Sequence, residues 1–235
     1  MSSELSFSGG ETTAPLTLKV LARAKVMRLR VDPRTGAVVL TVPRRVSKAK
    51  ALEWAVGQRA WIEAALADVP APSRIGSGAV IPFRGKPHTI HWQSQGPRRV
   101  EAVEGRLHVG GPLESLEPRL MRWLKQEART LLERETREYA AKANVSVTRV
   151  GVGDTLSRWG SCSSSGGIRY SWRLILAPDW VRRATVAHEV AHRVHMNHSA
   201  EFHALVEQLY GEDPGPARQW LRREGPALHR VGRLS

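Results

Sequence analysis

The eleven residues from His188 to His198, HEVAHRVHMNH, constrain the fold of this chain more than any other stretch. On a helix, positions i and i+4 share one face with Cβ atoms about 5 to 6 Å apart, so His188 and His192 can grip one metal ion from the same side. His198 cannot join them if the helix simply continues. Six more residues at 3.6 per turn would carry it roughly two thirds of a turn away from His192. The spacing therefore predicts a helix that stops between His192 and His198 and a chain that turns back over the metal. Asn197 is the residue expected to stop it, because Asn tolerates the left-handed conformation that ends many helices. Ser199 is expected to cap the next helix, with Glu201 in its first turn near the positive dipole end. Three neutral imidazoles leave a fourth tetrahedral position for water, the open arrangement of a catalytic zinc site rather than a closed structural one.

A chain of 235 residues can bury a real core and fits one large or two small domains. Its hydrophobic fraction of 41% and eight Trp argue against disorder. The single cysteine, Cys162, rules out an internal disulfide framework and fits a reducing compartment. The amino-terminal stretch MSSELSFSGGETTAP lacks a basic leader followed by an apolar run. No apolar stretch approaches the ~20 residues needed to span a bilayer. The expected location is the cytoplasm, without a membrane partner. Net charge is +14, enough to attract nucleic acid non-specifically. Much of it comes early, from Lys19, Arg23, Lys25, Arg28, Arg30, Arg34, Arg44, Arg45, Lys48 and Lys50. Two readings stand, a nucleic-acid-facing patch or a solvated Arg-rich surface, and no groove-reading motif accompanies the charge.

The order of elements predicts an α+β fold. Residues 1–14 are polar and read as a loose, disordered tail. Residues 15–113 read as a β-rich module with one helix: a hairpin over Val26 to Val42, a helix capped by Ser47 and running to about Leu66, and a Pro-rich stop near Pro70. Short strands then follow at Ala79 to Phe83, His88 to Trp92, Arg98 to Val103 and Leu107 to Val109. Residues 114–235 read as the core that carries the histidines. A long helix runs from Pro118 to about Ala143, followed by strands over Val145 to Val152 and Gly167 to Leu176. Pro178 and Asp179 then open the metal helix. The sequence shows no internal repeat and no heptad run.

Zinc lowers the pKa of a bound water to about 7. Glu189, beside His188, is the natural general base to take that proton and later give it to a leaving amine. The strand from Gly167 can present an unpaired edge to an extended peptide, or lie inside the sheet. Arg158 can hold a carboxylate, a phosphate or a scissile carbonyl, or pair with Asp154. Trp159 reads as packing, and Cys162 as a buried thiol. His195 and His203 are expected to be non-ligands, and Asn197 and Tyr210 are candidate contacts to the substrate or the transition state.

The segments HEVAHRVHMNHSAEF and RWGSCSSSGGIRYSWRLILAP, with the VPRRVS end of the early hairpin, resemble the YgjP-like group of SprT-type zinc metallopeptidases. The likeness is strong over roughly residues 150 to 210 and looser from about residue 20. His203 stands where an aromatic residue is usual, and Ala200 where Pro is frequent. The resemblance implies a zincin-like, minigluzincin-like core binding one Zn2+ through His188, His192 and His198, with Glu189 catalytic and a protein or peptide as substrate. One bacterial relative is described as a metal-dependent UTP pyrophosphatase. Hydrolysis of a nucleoside triphosphate therefore stays open, with Arg158, Arg169 and Arg173 to receive phosphates. A basic DNA-associated protein, with a protease role or a structural metal, is the third reading.

Overall fold

Leu16 and Leu18, then Val38, Leu40 and Val42, recur at every second residue, and the strands they build bury them on one face of a sheet. The structure is a computed structural model that describes residues 2–9, 12–71 and 73–232. Its α+β fold divides into two compact units, the first ending at Pro72 and the second running from Ser73.

The first unit has strands β1 (Ser2–Gly9), β2 (Thr12–Leu21), β3 (Arg28–Val31) and β4 (Val38–Pro43) in the order β1-β2-β4-β3. The β2 and β4 strands run parallel, and the two outer pairs are antiparallel hairpins. Two helices follow, α1 (Lys48–Gly57) and α2 (Arg59–Ala67). Ser47 caps α1 as expected, its hydroxyl accepting from the Lys50 amide at 3.3 Å. The single helix expected to reach Leu66 is broken at Gln58, where φ is −96° and ψ is 16°. Gly57, a weak helix former, precedes the break. Ala51, Ala55 and Ile62 from these helices close the core over the sheet.

The tail expected over residues 1–14 is, where described, largely strand: β1 pairs with β2 in a register that sets Leu5 opposite Leu16 and Phe7 opposite Ala14. Its alternation, SELSFS, was hidden by the small polar residues around it. Residues 1, 10 and 11 lie outside the described residues.

The second unit opens with β5 (Val80–Phe83), β6 (Lys86–Gln93), β7 (Val100–Val103) and β8 (Arg106–Gly110), ordered β5-β6-β8-β7 with β6 and β8 parallel. This is the connectivity of the first sheet repeated. The buried positions follow the same spacing too: Val38, Leu40, Ala51 and Ala55 in the first unit, Leu107, Val109, Leu120 and Leu124 in the second. A repeat of topology is therefore present where the sequence shows none, because only burial and spacing are shared. The boundary expected between residues 113 and 114 falls instead at 72. Ile81, Ile90, Leu107 and Val109 of this sheet share one core with Leu116, Leu120 and Leu124 of the helix that follows, so the sheet belongs to the second unit.

That helix is α3 (Leu116–Lys142), and after it come β9 (Arg149–Gly153), β10 (Gly160–Cys162) and β11 (Gly167–Ser171), ordered β10-β11-β9. The unit ends with α4 (Asp179–Ala191), α5 (Ala200–Tyr210) and α6 (Gly215–Arg230). The strand expected to reach Leu176 stops at Ser171, and Trp172–Ile175 form a 3-10 turn. Trp172, Arg173, Leu174 and Ile175 are all buried, which a strand with one solvent-facing side cannot achieve. Arg173 is tied down in this turn by hydrogen bonds to the Leu228 and Val231 carbonyls at 2.8 and 2.7 Å and by Asp154 at 3.1 Å.

A buried ion pair fixes α4 on α3. Arg182, 1% exposed, donates to both oxygens of Glu135, 2% exposed, at 3.0 and 2.9 Å. Asp179, in the first turn of α4, pairs with Arg182 and with Arg84. Burying such charges is tolerable only because each finds a partner of fixed geometry.

Candidate metal centre

The helix α4 ends at Ala191, with His192 as its C-cap, so the stop falls before His198 as the spacing requires. Asn197 does not make the turn by a left-handed residue: among the described residues the non-glycine ones with positive φ are Arg84, Glu104 and Asn144. The chain leaves the helix through tight turns instead, the amides of Arg193, Val194 and His195 donating to the Val190 and Ala191 carbonyls. Ser199 then caps α5, accepting from the Phe202 amide at 3.3 Å, and Glu201 lies in the first turn.

This path brings His188, His192 and His198 together, their ring nitrogens all within 4.8 Å of one another. The Nε2 atoms of His188 and His198 are 3.3 Å apart. Two nitrogens bound tetrahedrally at zinc distances would stand ~3.4 Å apart, so the spacing fits. The His192 Nδ1 lies 3.0 Å from the His195 carbonyl oxygen, which as acceptor leaves Nε2 for a metal. Phe202, fully buried, packs its ring 4.5 to 4.9 Å from all three imidazoles and holds them in place. Burial, with His192 and His198 nearby, pushes the His188 pKa down to about 4. Burial also lowers that of His192, against the opposing pull of the His195 carbonyl. Both rings are thus neutral at pH 7, the state a metal needs. The rings of His195 and His203 stand outside the cluster.

Glu189 is 5% exposed, and burial lifts its pKa to about 7 against the opposing charge of Arg158. Its carboxylate abuts Gly160 so closely that a Cβ there would overlap it. Gly160 opens β10, and β10, not β11, is the end strand beside α4. Of the two readings of the strand from Gly167, free edge or interior, the structure shows the interior one: β11 lies between β10 and β9. Alternation predicts a strand but not its neighbours, so the edge was unreadable.

A cavity of about 180 Å3 adjoins His188 and Glu189, with Ala184, Val206, Ala217 and Leu221 on its apolar side and Arg218 at its wall. Trp159 lines it while packing against His229 at 4.7 Å. Sequence reasoning gave Phe202, Gly160 and Arg218 no role. Their signals were weak, since a glycine shows close approach only once its neighbour is known.

The other candidates separate. Arg158 is exposed and acts electrostatically on Glu189, while Asp154, its alternative partner, is held by Arg173. Arg173 is buried and so withdrawn from any phosphate. Asn197 is exposed in the turn. Tyr210 ends α5 beside Tyr139, Arg183 and Glu212, with burial raising its pKa, and is not among the groups acting on the histidines. Cys162 is a free thiol in β10, half-buried, with its pKa raised by burial.

The chain belongs to the YgjP-like metallopeptidase domain family, whose model matches residues 25–224. It is accordingly a member of a hydrolase family. No curated protein and no solved structure matches it. No helix among the described residues is long and apolar enough to cross a membrane.

Proposed function

We propose that the protein is a zinc-dependent endopeptidase with a zincin-like core, in which His188, His192 and His198 hold the ion and Glu189 is the general base. The observation that carries the reading is a buried carboxylate with a pKa near 7 on the same helix end as three converging imidazoles. Zinc bound there would supply a Lewis acid that polarises a carbonyl and makes water nucleophilic at neutral pH. Glu189 accepts the proton of the attacking water and delivers it to the leaving amine nitrogen. Its pKa suits both transfers. Arg158, whose charge reaches Glu189, would stabilise the oxyanion that develops on the scissile carbonyl.

The substrate main chain adds to the free edge of β10, a sequence-tolerant mode of recognition. One side chain beside the scissile bond enters the apolar cavity against Ala184, Val206 and Leu221. His198 is exposed, which favours an open site over a closed structural one. A cytoplasmic location is part of the proposal and is supported by the single cysteine.

Glu189→Gln should keep zinc content and fold while turnover of an unfolded protein substrate falls by roughly 10²- to 10⁴-fold. Elemental analysis beside a cleavage assay tests it. Wild-type turnover by the variant would exclude this role for Glu189.

A further inference from the structure

A groove of about 310 Å3 between α3 and β9 is lined by cations to which the described residues give no ion-pair partner. Arg122, Lys125, Gln126 and Arg129 line it from α3, and Val152 and Gly153 from β9. The three cations are exposed and lie on one helical face. Further along α3 the arginines are answered by acids one turn away: Arg137 meets Glu133 at 2.6 Å and Arg134 meets Glu138 at 3.7 Å. In the groove the residue one turn after Arg122 is Gln126, and the one after Lys125 is Arg129. Like charges so placed destabilise a helix.

Arg169, on the neighbouring strand β11, does not line the groove. Its guanidinium lies over Gly153, where a Cβ would overlap it. Asp154, the acid at this end, is engaged by Arg173. The strand β9 ends its sheet and pairs with β11, so its other main-chain edge has no ladder partner.

We propose that this groove is an exosite for an acidic, extended stretch of a polypeptide substrate. Arg122, Lys125 and Arg129 hold its carboxylates, and the β9 edge engages its main chain. The proposal takes its substrate from the peptidase reading. A peptide fits better than a nucleic acid: Trp172, the ring lining the groove, is fully buried and offers no face for a base to stack on. Residues 154–159 connect the groove wall to Gly160, which abuts Glu189.

The test is fluorescence anisotropy of a labelled twelve-residue Glu/Asp-rich peptide on the full-length, metal-free protein, which makes binding independent of turnover. Arg122→Gln, Lys125→Gln and Arg129→Gln combined should weaken it roughly tenfold, the sum of three exposed contacts. A Gln/Asn-rich peptide of equal length should bind weakly to both proteins. In steady state the triple variant should raise KM for an acidic substrate and leave kcat and the neutral substrate unchanged. Equal binding of the acidic peptide by both proteins would overturn the proposal. So would an oligonucleotide of equal length that binds more tightly and through the same three residues. If the peptide binds as expected but Glu189→Gln still cleaves at the wild-type rate, the catalytic reading fails and the exosite stands.

Discussion

A methyl group at residue 160 would occupy space that the Glu189 carboxylate holds. Gly160→Ala should therefore push the carboxylate from its working position and lower kcat by roughly 10- to 100-fold, since misplacements of about 1 Å cost that much. Zinc content, measured by elemental analysis, should not change, because the three imidazoles lie on α4 and the turn after it. Loss of zinc in that variant would show that Gly160 supports the metal site and not the base. The clustering of His188, His192 and His198 was readable because an i, i+4 spacing is local and carries its own geometry. Gly160 and Phe202 were not. Gly160 acts on a residue brought to it from elsewhere in the chain, Phe202 meets His188 and His192 across the helix break, and neither type announces a partner.

The elements around the site depend on their ends. Ser199→Ala should cost about 1 kcal/mol through loss of the α5 cap and should loosen His198, the residue just before it. A lower denaturation midpoint together with weaker zinc affinity would show both effects. At the other end of the metal helix, Arg84 and then Arg182 hold the Asp179 pKa down to about 2 from its ordinary 3.8. A carboxyl group with a depressed folded pKa stabilises the fold above its unfolded pKa, and that stability is lost as pH falls toward the folded value. Urea midpoints of wild type and Asp179→Asn should therefore differ at pH 6 and converge as pH is lowered toward 2. The side chain is 41% exposed, so the difference should stay below about 1 kcal/mol. A constant gap across that range would mean the ion pairs contribute nothing. The break after His192 was legible from the spacing of the three histidines, though not from Asn197, and the Ser199 cap because capping chemistry is written within four residues. The 3-10 turn over Trp172–Ile175 was not, since Arg173 is buried by carbonyls from Leu228 and Val231, more than fifty residues away in sequence.

Across the whole molecule, two hydrophobic cores underlie two units, and only the second holds the histidines. Zinc bound at 100 times its Kd would stabilise that unit by about 2.7 kcal/mol through mass action. Scanning calorimetry with and without a chelator should shift one transition and leave the other in place. A single transition moving as one would show that the units unfold together. The placement of elements along the chain followed from periodicity, whereas the division into units did not, because which sheet joins which core is decided by contacts far apart in sequence. The repeated strand order escaped for the same reason.

Ser73 bridges to Val231, and the Gly232 amide donates to the Ser73 carbonyl at 2.9 Å. The catalytic unit thus starts and finishes at one spot, like a loop of rope whose ends are in the same hand. A short synthetic joint there would close it into a ring, and fresh ends can be cut at a surface turn without stretching the scaffold.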